Sequence, residues 1–502
     1  MAKPKLIIVG AGPGGLTSAM RFAKAGYDVH LYESEDRPGG RTRGFNKDGY
    51  YFDTGPTILQ VPRVYQELFN DCGLRFEDYV TLKRVSPNTR LKFWDNSILD
   101  LDSNLDNFRA QLAAWRDDLP EAFDRWYAEH IRKNVMGYGP YLGTPVRSIL
   151  GYLNPKEIWQ ALGFRPWETL YDHFWNYFKD ERLVYGLSYP AKYLGMHPTK
   201  CASVFSLVAW LEFEEGIWYP EGGFAALVQG FANAARDLGV TIHYNSKVSG
   251  VLTTQNKVRG IRLASGKEVS AEIVVLNADL GHAVTHILAP NQRGPYTDKK
   301  LNSMRFSCST FMLYLGVDKQ YPDLAHHQLY LSEHIRSKEA PYIDDSALDD
   351  SDPSFYVCNP TIINPASAPA GHSSLFVLVP IPNTDAGIDW EANKQRYRDY
   401  IIERMALLGY DDVADHIVSE TCYVAETWQD EFHVFKGAAF NLSHNWGQLG
   451  PLRPHIRADW MPGLYFVGGA VHPGSGLLTI LEAAKSAVHF VGQDHPVAEV
   501  VG

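Results

Sequence analysis

The order of apolar and polar positions at the start of the chain indicates a βαβ unit. Residues 6–9 form a short continuous apolar run, as in a strand of a buried parallel sheet. The run ends in a glycine-rich turn at residues 10–15. A helical pattern then covers residues 16–24, and Gly26 is placed as its C-terminal cap. Residues 28–32 predict a second strand, which ends at Glu33.

Further along the chain the pattern changes twice. Between about residues 60 and 220 it is mainly helical, with Pro62 opening one segment and an amphipathic stretch at 105–115. A helix is predicted at 224–238, followed by short strands at 241–244, 248–254, 258–263 and 273–276. Asn256 and Ser265-Gly266 suit turns between these strands. Residues from about 290 to 425 mix strands with loops rich in Pro and Asp, and the pattern does not divide them.

Near the end, residues 464–467 form another short apolar strand, which leads into Gly468-Gly469 and a helix at 478–490. Strands that suit one parallel sheet therefore come from separate parts of the chain. The predicted fold class is α/β, with a Rossmann-like dinucleotide-binding domain assembled from residues 1–75, 220–290 and 425–502. Residues 76–219 are predicted as a helical substrate-binding or membrane-associated region, and residues 291–424 as a substrate-binding α+β region.

Composition narrows the class of protein. The 502 residues are 45% hydrophobic and 21% charged, as in globular proteins. A net charge of −11 argues against a nucleic-acid partner. The five cysteines are scattered without a C-x-x-C motif, and no secretory leader or spanning apolar stretch is recognised. These features predict a cytoplasmic protein whose contact with a membrane is peripheral.

The first glycine turn carries a phosphate-binding signature. Gly10, Gly12 and Gly15 form G-x-G-x-x-G, which permits a tight turn, close approach to a pyrophosphate and packing of helix on strand. The helix that follows points its free N–H groups at the phosphates. Glu33 lies 21 residues after Gly12, where an acid accepts hydrogen bonds from a ribose diol. The acid favours FAD or NAD over NADP. The predicted contacts in this part of the chain are Gly10, Gly12, Pro13, Gly14, Gly15 and Glu33.

A second turn follows the acid at residues 37–41. Gly40 and Arg41 supply a flexible backbone and a guanidinium, which together suit a second phosphate contact. The alternative is a solvated basic loop.

With these motifs in place, the sequence resembles the flavin-dependent amine oxidase and phytoene desaturase superfamily. The resemblance implies that FAD is the cofactor and that residues 39–41 are its second signature. It also implies that residues 53–56 approach the isoalloxazine ring and that residue 248 begins the adenine-side strand. The contacts implied are Gly40, Arg41, Gly55, Pro56, Val248, Asn277 and Asp279.

Two later motifs resemble the carotenoid desaturase branch of that superfamily. Residues 216–223 match its G-x-W-x-P-x-G-G segment, and residues 472–476 match its C-terminal H-P-G-x-G flavin signature. Residues 324–327 and 452–455 also look like segments of bacterial phytoene desaturases. The C-terminal FAD contacts implied are Gly469, Gly476, Leu478 and Thr479.

The expected chemistry is oxidation of a carotenoid or a similar long apolar polyene by transfer of a hydride to FAD, which introduces a C=C bond. No H-E-x-x-H or G-x-S-x-G motif is present, and His326-His327 is interpreted as a strand or loop pair, so no metal is predicted. His472 is the candidate proton acceptor, and the alternative is that it only orders its turn. Glu482 is interpreted as facing solvent or pairing locally.

Other expectations concern partners. Residues 126–219 are rich in aromatic side chains, which form either ordinary core or a tunnel mouth resting on a bilayer. Oxygen or a quinone is the expected final electron acceptor. The desaturases carry an Arg-Asp cluster in the helical region, whereas residues 145–152 keep Arg147 but no Asp.

Alternative functions stay open. They are a carotenoid isomerase or ketolase on the same scaffold, an amine or porphyrinogen oxidase, and a non-catalytic lipid-binding chaperone of the GDP-dissociation-inhibitor type. The presence of N-terminal, middle and C-terminal flavin signatures speaks against the chaperone.

Overall fold

Five parallel strands from separate parts of the chain form the central sheet of this computed structural model, which describes residues 3–137, 163, 165, 167–189, 195–336 and 351–497. The strands are β1 (Lys5–Val9), β2 (Asp28–Tyr32), β3 (Gly44–Lys47), β4 (Tyr50–Asp53), β5 (Leu59–Gln60), β6 (Leu82–Val85), β7 (Thr89–Phe93), β8 (Ile98–Leu101), β9 (Ile217–Pro220), β10 (Thr241–His243), β11 (Val248–Thr254), β12 (Lys257–Leu263), β13 (Glu268–Ser270), β14 (Ile273–Leu276), β15 (Ser309–Val317), β16 (His327–Leu331), β17 (Phe355–Cys358), β18 (Ser373–Ile381), β19 (Ile417–Tyr423) and β20 (Leu464–Phe466).

The α-helices of the described residues are α1 (Pro13–Lys24), α2 (Pro62–Asp71), α3 (Leu105–Trp115), α4 (Leu119–Gly137), α5 (Leu170–Phe178), α6 (Glu181–Leu187), α7 (Ser206–Glu215), α8 (Gly223–Asp237), α9 (Leu280–His282), α10 (Asp298–Ser303), α11 (Trp390–Arg404), α12 (Val413–His416), α13 (Ala425–Asp430) and α14 (Leu477–Asp494). The predicted α/β class with a Rossmann-like domain is confirmed.

The parallel sheet has the strand order β10-β2-β1-β14-β20. β1 lies at its centre, pairing with β14 from Leu6↔Ile273 onward and with β2 on the other side. Its apolar residues are buried because helices cover the sheet, and α1 provides the crossover between β1 and β2. All the carboxyl ends therefore meet at one edge, which is where such sheets bind ligands.

A second sheet has seven strands in the order β19-β15-β18-β17-β16-β7-β8. One face of its middle strands packs on α11 in a separate apolar cluster. The opposite face carries Tyr314, Tyr356 and Phe376 toward the main core, which includes the parallel sheet. Every residue of β15 is buried, so this strand shows no alternation of apolar and polar positions.

The prediction of a mainly helical stretch between 60 and 220 is wrong at five places. Residues 59–60, 82–85, 89–93, 98–101 and 217–220 form β5 to β9. β7 shows the reason, since Leu91 and Phe93 are buried while Arg90 and Lys92 are partly exposed, which is the two-residue period of a strand. The helices predicted at Pro62 and at 105–115 are confirmed as α2 and α3.

Much of the aromatic-rich stretch 126–219 is ordinary core in the part that the structure describes. The Phe, Tyr and Trp side chains with at most 3% exposure are Trp126, Phe174, Phe178, Tyr185, Trp210, Phe213 and Tyr219. Trp167 differs, with 68% of its surface exposed. The segment 145–152, with Arg147, lies outside the described residues. Within the described residues, no helix has the length and apolar character needed to cross a membrane.

Candidate functional site

The first glycine turn joins β1 to α1 at the ligand-binding edge of the parallel sheet. A Cβ atom on Gly15 would lie 2.0 Å from the Gly10 carbonyl oxygen, and one on Gly10 would lie 2.6 Å from the Asn277 carbonyl oxygen. Asn277 also donates from Nδ2 to the Gly10 carbonyl at 3.1 Å. The turn therefore has no room for a side chain at Gly10 or Gly15. It carries Gly12 immediately before Pro13 and the start of α1.

Glu33, which follows β2, stabilises this turn by a hydrogen bond. Its Oε2 accepts a hydrogen bond from the Ala11 backbone N–H at 2.7 Å, and its Oε1 accepts from the Ser34 hydroxyl and the Glu35 N–H. The side chain is only 7% exposed. Because Oε1 already accepts two hydrogen bonds and Oε2 accepts one, it is Oε2 that keeps acceptor capacity for a ribose hydroxyl. The Ser246 N–H donates to the Glu33 carbonyl at 2.7 Å, which brings the chain leading into Val248 and β11 to the same place.

The second turn lies on the first. The Gly39 N–H donates to the Ala11 carbonyl at 2.9 Å, and a Cβ atom on Gly40 would lie 3.8 Å from the Gly12 Cα. Residues 53–56 come next to it, since a Cβ atom on Gly55 would lie 2.5 Å from the Arg41 carbonyl oxygen. Residues 39–41 are thus packed against the first turn, which disfavours the alternative of a solvated loop.

Arg41 belongs to a partly buried polar cluster at the end of β14. It donates to the Asn441 side-chain oxygen at 2.8 and 2.9 Å, and the Asn441 amide nitrogen donates to Asp279 Oδ2 at 2.7 Å. Asp279 also accepts from the His282 and Phe435 N–H groups. Burial raises the pKa of Asp279, and the Arg41 charge opposes that shift. The cluster connects the second glycine turn to the returning strand.

Asp53 forms another buried polar cluster beside Gly55 and Pro56. Its carboxylate accepts from the Tyr219 and Tyr51 hydroxyls at 2.5 and 2.6 Å and from the Phe224 N–H at 2.7 Å. Burial raises the pKa of this carboxyl to about 6, although the hydrogen bonds act in the opposite direction. These contacts connect β4 with β9 and the start of α8, so the G-x-W-x-P-x-G-G segment supports residues 53–56.

The C-terminal turn faces the first glycine turn. Gly476 has a φ of +109° and precedes α14, while Thr479 donates its hydroxyl to the Gly474 and Gly476 carbonyls. Leu478 lies in the same first turn. A Cβ atom on Gly14 would lie 2.9 Å from Ile480, so the starts of α1 and α14 are in contact.

Arg453 lies under this C-terminal turn with 1% of its surface exposed. Its five N–H donors all reach backbone carbonyls, at distances from 2.7 to 3.2 Å. The acceptors are Leu442, Ser443, Gln448, Gly469 and Val471. Burial lowers the pKa of Arg453 to about 9. The buried guanidinium thus organises the chain around Gly469 and holds a positive charge there.

His444 and His472 complete the turn. His444 Nε2 accepts a hydrogen bond from the Ser475 N–H at 3.1 Å. The His472 N–H donates to the Pro454 carbonyl at 2.9 Å, and its side-chain Nε2 is buried without a partner among the described residues. Burial lowers the pKa of His472 to about 4, with the Arg453 charge acting in the same direction. The imidazole is therefore neutral at neutral pH.

We expect His472→Gln to reduce the loss of stability in acid. Because the folded-state pKa of His472 lies below its unfolded value of 6.5, the unfolded chain binds this proton more readily. The folded state is then destabilised as the pH falls from 6.5 toward 4, by up to about 1.4 kcal/mol per pH unit. Urea unfolding at several pH values measures the difference between wild type and variant. His489→Gln, at an exposed position of α14, is the control. If the free energy of unfolding falls equally with pH in wild type and His472→Gln below pH 6.5, the prediction is contradicted.

Sequence reasoning missed several of these residues. Asn441 belongs to no recognised motif, and His444 has no signal of its own. Arg453 was noticed only as part of a resemblance. Glu482 was interpreted as solvent-facing or locally paired, but its side chain is 7% exposed, so the solvent-facing interpretation is wrong. Its Oε2 has no hydrogen-bond partner within the described part of the chain. It is buried because this face of α14 packs on α1.

The arrangement fits FAD. The N-caps of α1 and α14 are glycines without side-chain capping bonds, so the first-turn N–H groups of both helices are available to a ligand. The hydroxyl oxygens Ser475 Oγ and Thr54 Oγ1 are buried close to these turns and have no partner among the residues that the structure describes. FAD presents phosphates, ribose and ring carbonyls that suit such donors.

Comparison with known proteins agrees with this geometry. A family model described as flavin containing amine oxidoreductase matches residues 13–488. The chain is 43% identical to an all-trans-zeta-carotene desaturase of Myxococcus xanthus, over 97% of this chain and 93% of that protein. It is 37% identical to a 4,4'-diapophytoene desaturase (4,4'-diapolycopene-forming) of Methylomonas sp, over 99% and 97%. It is also 30% identical to a 4,4'-diapolycopene oxygenase of Methylomonas sp, over 94% and 95%.

Among solved structures, putrescine oxidase bound to putrescine is similar in fold. The TM-score is 0.62 at 15% identity, with 98% of this chain and 99% of that chain covered.

Proposed function

Since the chain belongs to the flavin-containing amine oxidoreductase family, and within it to the carotenoid desaturases, we propose that this FAD-dependent enzyme introduces C=C bonds into a carotenoid or a similar long apolar polyene. The observation that carries the proposal is the likeness to carotenoid desaturases over nearly the whole chain. The three glycine turns at one edge of the sheet support it. The implied FAD contacts at Gly10 to Gly15, Glu33, Gly40, Arg41, Gly55, Pro56, Val248, Asn277, Asp279, Gly469, Gly476, Leu478 and Thr479 form part of the proposal.

The chemistry requires little of the side chains. Hydrogens on an alkyl chain are not acidic, and FAD, when bound, supplies a hydride acceptor. The allylic cation then left on the polyene is a strong acid, so a weak base suffices to take the neighbouring proton. We assign that role to Nε2 of His472, a neutral nitrogen to which no described residue makes a hydrogen bond. The rest of the chain holds the substrate within reach and keeps water away.

The reaction is tested by anaerobic mixing of the purified enzyme with candidate carotenes while flavin absorbance is followed. Stoichiometric bleaching with a more conjugated product supports desaturation. A product with an unchanged hydrogen count would mean isomerisation. Incorporation of labelled oxygen in air would mean oxygenation, which is the second candidate because a 4,4'-diapolycopene oxygenase is also similar over most of the chain.

We expect FAD to be held noncovalently. The turns around the site offer hydrogen-bond donors and helix starts. Acid denaturation of the yellow protein should release all of its FAD into the soluble fraction, where chromatography identifies it. Flavin that stays with the precipitated polypeptide would contradict the prediction.

We also propose that the protein acts in the cytoplasm on the membrane surface, where its apolar substrate dissolves, and that oxygen or a quinone accepts the electrons. Five free cysteines suit a reducing compartment. Trp167 provides an exposed aromatic surface within the aromatic-rich stretch.

Trp167→Glu is expected to weaken binding to liposomes by about 30-fold or more, even in high salt. Burying most of an indole contributes roughly 2–4 kcal/mol by apolar area, and a carboxylate removes that gain. Co-sedimentation measures the bound fraction. Val418→Glu is the matched control, because Val418 is 54% exposed on β19, outside residues 126–219. Equal binding by Trp167→Glu and wild type would refute a role for this surface.

A further inference from the structure

A cluster of nitrogen and sulfur ligands lies on the inner face of the seven-stranded sheet. His327 on β16 is directly opposite Cys358 on β17, so their side chains lie on the same face. His326 comes just before β16, and its Nε2 lies 3.5 Å from Cys358 Sγ. One ligand atom from each of the three residues lies within 4.8 Å of the others. All three side chains are at most 3% exposed.

We propose that His326, His327 and Cys358 bind a divalent transition metal ion of the Zn²⁺ type. In a tetrahedral zinc site, Zn–N distances of about 2.0 Å and Zn–S distances of about 2.3 Å place neighbouring ligand atoms about 3.3–3.6 Å apart. The His326–Cys358 pair already has that spacing. The His327 ligand atom lies within 4.8 Å of both other ligand atoms.

The hydrogen bonds around the cluster leave nitrogen atoms free to act as ligands. His327 Nδ1 lies 2.6 Å from the Tyr356 hydroxyl, which in turn lies 2.8 Å from Thr57 Oγ1. The opposite nitrogen, His327 Nε2, is buried and has no partner in the described part of the chain. The ligand nitrogen of His326 is Nε2, whose neighbour is the Cys358 thiol. A histidine that donates from one ring nitrogen to an oxygen and directs the other at an ion is the usual arrangement of metal sites.

Charge and ligand type both select the ion. Two imidazoles and a thiolate favour Zn²⁺ and related transition metals over Mg²⁺ or Ca²⁺, which prefer oxygen ligands. The thiolate that forms when Cys358 loses its proton supplies one negative charge. A second lies close by at Asp53, whose partner Tyr219 has its ring centroid 5.1 Å from that of His326. Together they balance a divalent cation in a buried place.

The ion would connect two strands of the substrate-side sheet with the chain around Asp53 and Thr57, which approaches the flavin site. Sequence reasoning interpreted His326 and His327 as a strand or loop pair. It did not include Cys358, because that residue lies 32 positions after His326 and only the sheet brings them together.

Metal analysis of the FAD-loaded enzyme, purified without affinity tags or chelators, tests the proposal. We expect about one zinc per chain in wild type and in Cys422→Ser, whose thiol lies on β19 of the same sheet. The Cys358→Ser and His327→Gln variants should contain less than a tenth of that amount. FAD content and far-UV circular dichroism show whether each variant is folded.

A second measurement does not depend on variants. After removal of metal with a strong chelator, wild-type protein titrated with Co²⁺ should develop thiolate-to-cobalt charge transfer and the visible bands of a tetrahedral ion. Absence of both zinc and these bands would overturn the proposal. Zinc that persists at equal stoichiometry in folded Cys358→Ser would also overturn it. Neither measurement depends on carotene turnover, so a failure of the metal site and a failure of the proposed desaturation can be told apart.

Discussion

Gly15→Ala is expected to abolish FAD retention and to lower the free energy of unfolding of the FAD-free protein by about 1–3 kcal/mol, as overpacking does in other cores. The new Cβ would lie 2.0 Å from the Gly10 carbonyl oxygen and 2.9 Å from Asn277 Nδ2. Gly10 is held on both sides, because its N–H donates to the Tyr32 carbonyl and its carbonyl accepts from Asn277. The start of α1 must then move away from β1, together with the N–H groups that we propose contact the pyrophosphate.

The measurement is the ratio of flavin to protein after gel filtration, followed by urea unfolding of the FAD-free forms. Gly492→Ala is the matched control, since the added Cβ in α14 would meet no described atom within 4 Å apart from its chain neighbours and the backbone of its own helix. It should keep its FAD and gain a few tenths of a kcal/mol from helix propensity. A Gly15→Ala enzyme that keeps one FAD per chain would show that the first turn tolerates a side chain and does not bind the phosphates closely.

The βαβ opening and the returning strands were predictable from sequence because each is encoded locally. Apolar runs bounded by glycines mark β1, β14 and β20, and Gly26 marks the end of α1. β6 was missed because it is four residues long, and its partner β9 comes much later in the chain, with Val85 opposite Ile217. β15 could not be recognised from alternation, because both of its faces are buried. In such segments, pairing with distant strands determines the secondary structure.

The residues of the site likewise fall into two groups, those that local motifs predict and those that only the fold brings together. Glycine turns and the acid after β2 follow from motifs, because a tight turn beside a phosphate restricts the residue types allowed. The polar cluster of Arg41, Asn441 and Asp279 joins three distant parts of the chain, and Asn441 stands in no motif. The low pKa of His472 likewise results from burial next to Arg453, which only the fold creates.

Arg453→Met is expected to cost about 3–5 kcal/mol of folding free energy, the range found when buried charged networks are broken. Methionine fills much of the same volume but donates no hydrogen bond. Five backbone carbonyls around residues 442–471 would lose their bond to the guanidinium, among them Gly469 in the C-terminal turn. The Ser443 carbonyl keeps a second donor, Gln448 Nε2. Each buried carbonyl left without a donor costs about 1–3 kcal/mol, less what relaxation recovers.

Arg453→Lys separates the two contributions of this residue. Lysine keeps the positive charge but has three donors and no planar fork, so it can satisfy at most three of the five carbonyls. We therefore expect a stability between those of wild type and Arg453→Met.

If Arg453 also raises the flavin reduction potential through its charge, the midpoint potential should stay close to wild type in Arg453→Lys. It should fall in Arg453→Met, provided that variant still binds FAD. Equal unfolding free energies for wild type and Arg453→Met would contradict a structural role for the guanidinium. Equal potentials in all three proteins would mean that its charge does not reach the flavin, and that Arg453 acts only by holding the turn in place.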